Sequence, residues 1–295
     1  MTVEIRKLHR DIGVEVLGFE PRLPLDEETA RTLRTAFDEC GLLLFRDLQI
    51  DLASQNYLSQ AMIGADLTGI DWRVVPENVR EYYISNREER GGAPFGRLLW
   101  HSDMMWSESA FQLLGLYGVD VEQPSTPTLF VSATHAWDTL PSELRSRVEG
   151  RFAVHGHEGS YIQKESKMDS NLLVSSFAVN ETVRLPIGRR HPRTEKTILY
   201  VCQQMTQGID GLPEEESQEL LEALFQHLYA SEENVFAHQW RKGDLVLWDN
   251  LTLQHARPNL EHEGPARTLR KTYAPPASAK SMANRPRHHL ATAEN

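Results

Sequence analysis

Cysteine is scarce: Cys40 and Cys202 are the two in 295 residues, too few for a disulfide framework or a thiolate zinc site. No apolar run approaches the roughly 18 residues that a membrane span needs, which excludes an integral membrane protein. The opening stretch, MTVEIRKLHRDIG, lacks the apolar segment of a signal peptide. A reducing cytoplasm is therefore the expected compartment. Long Lys/Arg clusters are missing as well. With 31 basic against 42 acidic side chains the net charge is −11, and nucleic acid is not an expected partner. Neither GxGxxG nor GxxxxGK[ST] occurs, which removes most phosphate-cradle enzymes. Repeats and Gly/Ser- or Pro-rich linkers are also missing. Residues 1–277 thus read as one domain, followed by a loose polar tail at 278–295.

What is present is apolar content of 40%, enough for a sizeable core. Asp26 precedes EETARTLRTAFDEC, and Asp51 precedes LASQNYLSQAMIG. Both read as side-chain-capped helices, the second ending at Gly64. Further helices are expected after Pro141 and after Pro213, the last with Leu220, Leu221, Leu224, Phe225 and Leu228 on one stripe. Short β-like runs fill the middle: Leu42–Phe45, Tyr82–Ser85, Gln112–Gly118, Thr128–Ser132, Thr197–Cys202, Val235–Trp240 and Asp244–Trp248. Arg241 to Asp244 read as a tight hairpin turn between the last two. The pattern predicts a mainly β, jelly-roll-like double sheet with flanking helices, without βαβ repetition.

The sharpest local feature is Trp100-His101-Ser102-Asp103. In extended chain, residues i and i+2 point the same way, so His101 and Asp103 can offer an imidazole nitrogen and a carboxylate oxygen to one point. That is two-thirds of a 2-His-1-carboxylate facial triad, which leaves three positions open on an octahedral metal. An HxD triplet alone also arises by chance in a solvated loop. The third ligand must be a distant histidine, from among His135, His155, His157, His191, His227, His238, His255 and His262. His255 stands out because it follows the strand-and-turn segment GDLVLWDN. Trp248, Asp249 and Asn250 of that segment read as structural, with Trp248 packing beneath the ligand.

At this point five blocks, in order, carry a resemblance: GLLLFRDLQID (41–51), WHSDMMW (100–106), TLFVSATHAWDTLP (128–141), HPRTEKTILYV (191–201) and WRKGDLVLWDNLTLQHARPN (240–259). Together they resemble the Fe(II)/2-oxoglutarate-dependent dioxygenases of the taurine and 2,4-dichlorophenoxyacetate dioxygenase type. The resemblance implies a double-stranded β-helix (jelly-roll, cupin-like) core. It makes His101, Asp103 and His255 the iron ligands, and Thr128 a contact of the 2-oxoglutarate C1 end. Arg270 becomes the clamp on the distal carboxylate, where a guanidinium can fork onto a carboxylate. Arg267, an odd number of positions away, should point to the opposite face unless a bulge intervenes. It is kept as an anchor for the prime substrate.

The activity implied is decarboxylation of 2-oxoglutarate to succinate and CO2, with O2 as the other cosubstrate, coupled to hydroxylation of a substrate C–H bond. Halogenating relatives replace the carboxylate ligand with a small residue, so Asp103 argues against halogenation. The partner is expected to be a small, anionic carboxylate or sulfonate, with self-association into a homo-oligomer left open. Tyr83, Asn86, Arg97 and Trp106 border the metal motif and are the candidate substrate contacts. Two rival readings are a zinc-dependent hydrolase, which would not need the arginine, and a non-catalytic jelly-roll metal-binding protein.

Overall fold

The side chain of Asp26 accepts a hydrogen bond from Thr29 N, and that of Asp51 accepts one from Ser54 N. These caps start helices where the sequence predicts them. A computed structural model of the chain describes residues 3–67, 83–88, 91–108, 110–165, 167–173 and 182–274. The expected tail at 278–295, and Tyr82 at the start of one expected strand, lie outside the described residues.

The first half contains β1 (Glu4–Lys7), β2 (Val14–Leu17), α1 (Glu27–Cys40), β3 (Leu42–Phe45), α2 (Leu52–Met62), β4 (Tyr83–Ser85), β5 (Gly96–His101), β6 (Leu113–Val121), β7 (Thr128–Ser132), α3 (Ala133–Asp138) and α4 (Ser142–Val148). The second half contains β8 (Phe152–Gly156), α5 (Ser160–Glu165), β9 (Thr182–Pro186), β10 (Gly188–Arg190), β11 (Thr197–Leu199), β12 (Thr206–Ile209), α6 (Glu214–Tyr229), β13 (Phe236–His238), β14 (Leu245–Asp249), β15 (Leu253–Leu260) and β16 (Arg267–Ala274).

Two sheets form the jelly roll. One has seven strands in the order β1-β2-β3-β14-β6-β16-β4, and the other has four in the order β13-β7-β15-β5. The apolar run LLLF of β3 is buried at every position, because the large sheet is covered on both faces. Leu43 and Phe45 pack with Phe37 of α1 and Leu58 of α2. Leu42 and Leu44 join Leu116, Trp248 and Leu269 against Phe130 and Leu253 of the smaller sheet. A separate cluster seats the α6 stripe, Leu220, Leu221, Leu224, Phe225 and Leu228, on Ala153, Leu199 and Ile209.

The turn at Arg241 to Asp244 does not close a hairpin. β13 pairs with β7 in the small sheet, whereas β14 pairs with β3 and β6 in the large one. The turn therefore carries the chain from one sheet to the other. Its tightness comes from Gly243 at φ +82° and from Asp244, whose Oδ2 accepts from Arg241 N at 2.9 Å and from Arg46 Nη1 at 2.7 Å.

Candidate active site

Strands β5 and β15 pair antiparallel with His101 opposite His255, and the two rings lie 4.1 Å apart between centroids. Just past the end of β5 the chain turns, and Asp103 swings its Oδ1 to 3.4 Å from His101 Nε2 and 3.7 Å from His255 Nε2. Ligand atoms of the three residues all lie within 4.8 Å of one another. Among the described residues, this is the one group of three or more His, Cys, Asp or Glu side chains able to hold a metal.

The electrostatics suit that donor set. His101 Nδ1 lies 2.7 Å from Leu99 O, which makes Nδ1 the protonated nitrogen and leaves the Nε2 lone pair for a metal. Burial, reinforced by His101, keeps His255 well below the usual imidazole range, so it is a neutral ligand. Burial alone would raise Asp103, but Lys271 and the two histidines outweigh it and hold the carboxyl well below its ordinary value. Trp248 packs edge-on against the His255 ring at 5.1 Å. His155, His191 and His227 are spoken for elsewhere, by Thr206, Asp249 and the carbonyl of Ala136.

Strand β16 places the two arginines on opposite faces of the large sheet. Lys271 Nζ contacts Asp103 Oδ2, and Leu269 packs between the sheets, so the odd-numbered positions face the metal centre. The bulge falls in β6, where the partner steps from Asp120 to Gly118, and β16 keeps its alternation. Arg270 therefore points the other way. It lies under α2, donating to Gln55 Oε1 at 2.8 Å and Ile50 O at 2.7 Å, over the Tyr117 ring. The expected clamp thus faces α2, away from His101, Asp103 and His255.

Arg267 is on the metal side and almost fully buried. Its Nη2 donates to Thr128 Oγ1 at 3.0 Å and its Nε to Thr126 O at 3.0 Å, both neutral oxygens. Burial, then Arg257, pulls its pKa down to about 9, so it is still a cation at neutral pH, and among the described residues no carboxylate pairs with it. Thr128 Oγ1 also accepts from Trp240 Nε1 at 2.9 Å. Thr128 thus belongs with the arginine and away from the metal. Phe130 is the register partner of His255, and Thr128 lies two residues along β7, a step of about 6.6 Å.

The remaining candidates divide. Tyr83 stands opposite Arg270 in register, on the helix-covered side. Asn86 is structural: its Oδ1 accepts from Arg267 N at 2.9 Å and its Nδ2 donates to Pro265 O at 3.0 Å. Arg97 is no free cation, because Asp169 at 2.9 Å and Glu165 at 3.5 Å take its guanidinium. Trp106 flanks the metal loop, edge-on to His157 at 5.9 Å. Sequence reasoning missed Lys271, although its four-residue offset from Arg267 placed both on one strand face.

A jelly roll with two histidines and one carboxylate converging at paired strands, and a buried arginine on the facing sheet, is the arrangement of the 2-oxoglutarate-dependent oxygenase class. The chain belongs to the taurine catabolism dioxygenase TauD, TfdA family, whose model matches residues 4–273. It is similar to the alpha-ketoglutarate-dependent 2,4-dichlorophenoxyacetate dioxygenase of Cupriavidus pinatubonensis, at 27% identity over 86% of this chain and 92% of that protein. An alkylsulfatase of Acinetobacter baylyi is 25% identical over 87% of this chain and 80% of its own length. In fold, the chain matches the crystal structure of AAD-2 in complex with Mn(II) and N-oxalylglycine, with a TM-score of 0.74 and 23% identity, covering 94% of this chain and 99% of that one. Family membership sets aside the zinc hydrolase and the non-catalytic binding protein. No helix among the described residues is long and apolar enough to cross a membrane.

Proposed function

We propose that this dioxygenase holds Fe(II) on His101 Nε2, Asp103 and His255 Nε2, binds 2-oxoglutarate between the metal and Arg267, and hydroxylates a small organic anion. The donor set fits such an ion: two neutral imidazoles and one ionised carboxylate, already convergent without rearrangement. Iron there supplies the reductive activation of O2 that couples decarboxylation of 2-oxoglutarate to oxidation of a C–H bond. The protein's part is placement. Arg267 and Thr128 receive the distal carboxylate, two residues along β7 from the level of His255, which is the reach of a five-carbon diacid. Trp240 braces Thr128 from behind. The observation that carries the reading is the convergence of the His101, Asp103 and His255 cluster on one sheet with a buried arginine of the facing sheet that, among the described residues, pairs with no carboxylate.

Lys271 supplies the second cation, next to the metal, for the prime substrate. Relatives named for an aryloxyacetate and for alkyl sulfates support an anionic substrate. A cytoplasmic setting, which keeps Cys40 and Cys202 as thiols, fits the reading. The test is succinate formation from 2-oxoglutarate with Fe(II), O2 and ascorbate, across a panel of aryloxy, alkyl and sulfur-containing acids. Turnover with at least one acid is expected, and loss of it in Asp103→Ala. Retention of iron-dependent turnover in that variant at saturating Fe(II) refutes the ligand assignment.

A further inference from the structure

We propose that Asn250 is a positioning residue of the metal centre, gripping the backbone of Asp103 from both sides so that its carboxylate faces the two histidines. The inference rests on the metal site proposed above.

Asn250 is fully buried, and its side chain makes three hydrogen bonds, all at 2.9 Å. Oδ1 accepts from Asp103 N. Nδ2 donates to Asp103 O and to Phe111 O. That pattern admits only one orientation of the amide, since one partner is a donor and the other two are acceptors. Met104, the next residue after Asp103, sits at φ +63°. An unbranched L residue holds that conformation only where its surroundings enforce it. The Asn250 clamp supplies the enforcement at the residue immediately before.

The turn containing Asn250 does not need this side chain to close. Asp249 does that work: its Oδ1 accepts from Leu251 N and Thr252 N at 2.9 Å each. His191 and Arg193 hold the opposite oxygen. Asn250 N donates to Gln112 O, a main-chain bond that any residue there could make. The side chain of Asn250 is thus spent on the metal loop and its neighbour Phe111. The same turn leads into β15 and His255. Asn250 therefore ties the Asp103 loop to the His255 strand across 147 positions of sequence, and the three ligands move as one body. Outer groups that fix a ligand in this way commonly change metal affinity about 10- to 100-fold when removed.

The experiment is an anaerobic Co(II) titration of the metal-free protein, followed by its visible absorption and by thermal melts, without 2-oxoglutarate or substrate. Wild type is compared with Asn250→Ala, Asn250→Asp and Arg193→Ala. Arg193 holds Asp249, Asp38 and Gln112, so its removal loosens the same turn without touching Asp103. Asn250→Asp preserves shape and the acceptor for Asp103 N but loses the donor to two carbonyls. The expected result is a roughly tenfold or greater loss of Co(II) affinity and an altered absorption band in Asn250→Ala, a loss at least as large in Asn250→Asp, whose new oxygen meets two carbonyl oxygens, and near wild-type binding in Arg193→Ala despite a lower Tm. Wild-type affinity and spectrum in a folded Asn250→Ala overturn the proposal. So does an equal loss in Arg193→Ala, which would mark ordinary loosening. If Asn250→Ala does not fold, Asn250→Asp carries the same comparison. Failure of wild type to bind Co(II), or undiminished binding in Asp103→Ala, instead sinks the metal site itself.

Discussion

Arg267 and Thr128 meet across the jelly roll, Nη2 to Oγ1 at 3.0 Å, from strands that belong to different sheets. Both are buried. A buried guanidinium usually sits on a carboxylate, because desolvating a charge is costly unless it is paired. This one rests on a hydroxyl and a carbonyl, which leaves much of its electrostatic demand unmet. In the proposed assignment a dianionic cosubstrate is what answers that demand, and Asn86, by accepting from Arg267 N, fixes where the strand begins.

Arg267→Ala is expected to weaken 2-oxoglutarate binding by one to several orders of magnitude, since losing one partner of a buried charge pair costs about 2–5 kcal/mol. Thr128→Val should weaken it less. Arg270→Ala, on the far face, should lower Tm through lost contacts with Gln55 and Ile50 and leave cosubstrate affinity near wild type. Anaerobic titration of each Fe(II)-loaded variant, read from the metal-to-ligand charge-transfer band, ranks them. A larger cosubstrate defect in Arg270→Ala would reverse the assignment.

Much of this is legible in the residues themselves. Asp26 and Asp51 announce their helices by residue type, and HxD plus a distant histidine, through family resemblance, announces the cluster that the fold brings together. The arginine was not legible, because its face depends on which strand takes the bulge. Here β6 skips Val119, and nothing in the β16 sequence records that. Nor could local sequence show that the 241–244 turn changes sheets, since the choice lies in pairing with β7 and β3. Arg97 looked free because Glu165 belongs to α5, a six-residue helix without a strong periodic signal.

An anionic prime substrate should depend on Lys271, given that Asp169 and Glu165 already occupy Arg97. For an acid that supports turnover, wild type should prefer the acid over its methyl ester in kcat/KM. Lys271→Met should erase most of that preference, mainly by slowing the acid. Because Lys271 also touches Asp103, Co(II) and 2-oxoglutarate titrations of the variant serve as controls. Equal kcat/KM for acid and ester in the wild type would show that Lys271 acts on the ligand alone.

The sheet-crossing turn predicts a purely structural lesion. A Cβ on Gly243 would lie 3.1 Å from Leu48 O and 3.2 Å from Asp47 Cα, at a φ of +82°. The left-handed conformation alone costs an L residue about 1–2 kcal/mol, and the backbone neighbours have little room to yield. Gly243→Ala should therefore lower Tm by several degrees, roughly 2–4 °C per kcal/mol for a chain of this size class. Its Co(II) affinity should stay unchanged below the melt, because the proposed metal ligands sit elsewhere, on β5, on β15 and in the loop after β5. An unaltered Tm would mean that the turn relaxes freely.

Stability should fall on the acid side through His155. Burial, with Arg189 adding to it, pushes this imidazole from 6.5 down to about 3, while the unfolded chain keeps the ordinary value. Between those limits the unfolded state binds the extra proton, so the folded state loses ground as pH drops. The contribution is fully present above pH 6.5 and erodes toward pH 3, by at most about 1.4 kcal/mol per pH unit. Asp249, which burial raises but His191 and Arg193 bring down to about 2, has the same sign, but its loss sets in only near the ordinary carboxyl range. His255 shares the sign of His155 as well, so a replacement removes one contributor and not the whole slope. His155→Asn keeps a polar atom for Thr206 Oγ1, its 3.2 Å partner, and removes the titration. Urea unfolding of metal-free protein between pH 4 and 8 should give a visibly flatter dependence of stability on pH for the variant. Parallel curves for variant and wild type would show that His155 takes up its proton without unfolding the chain.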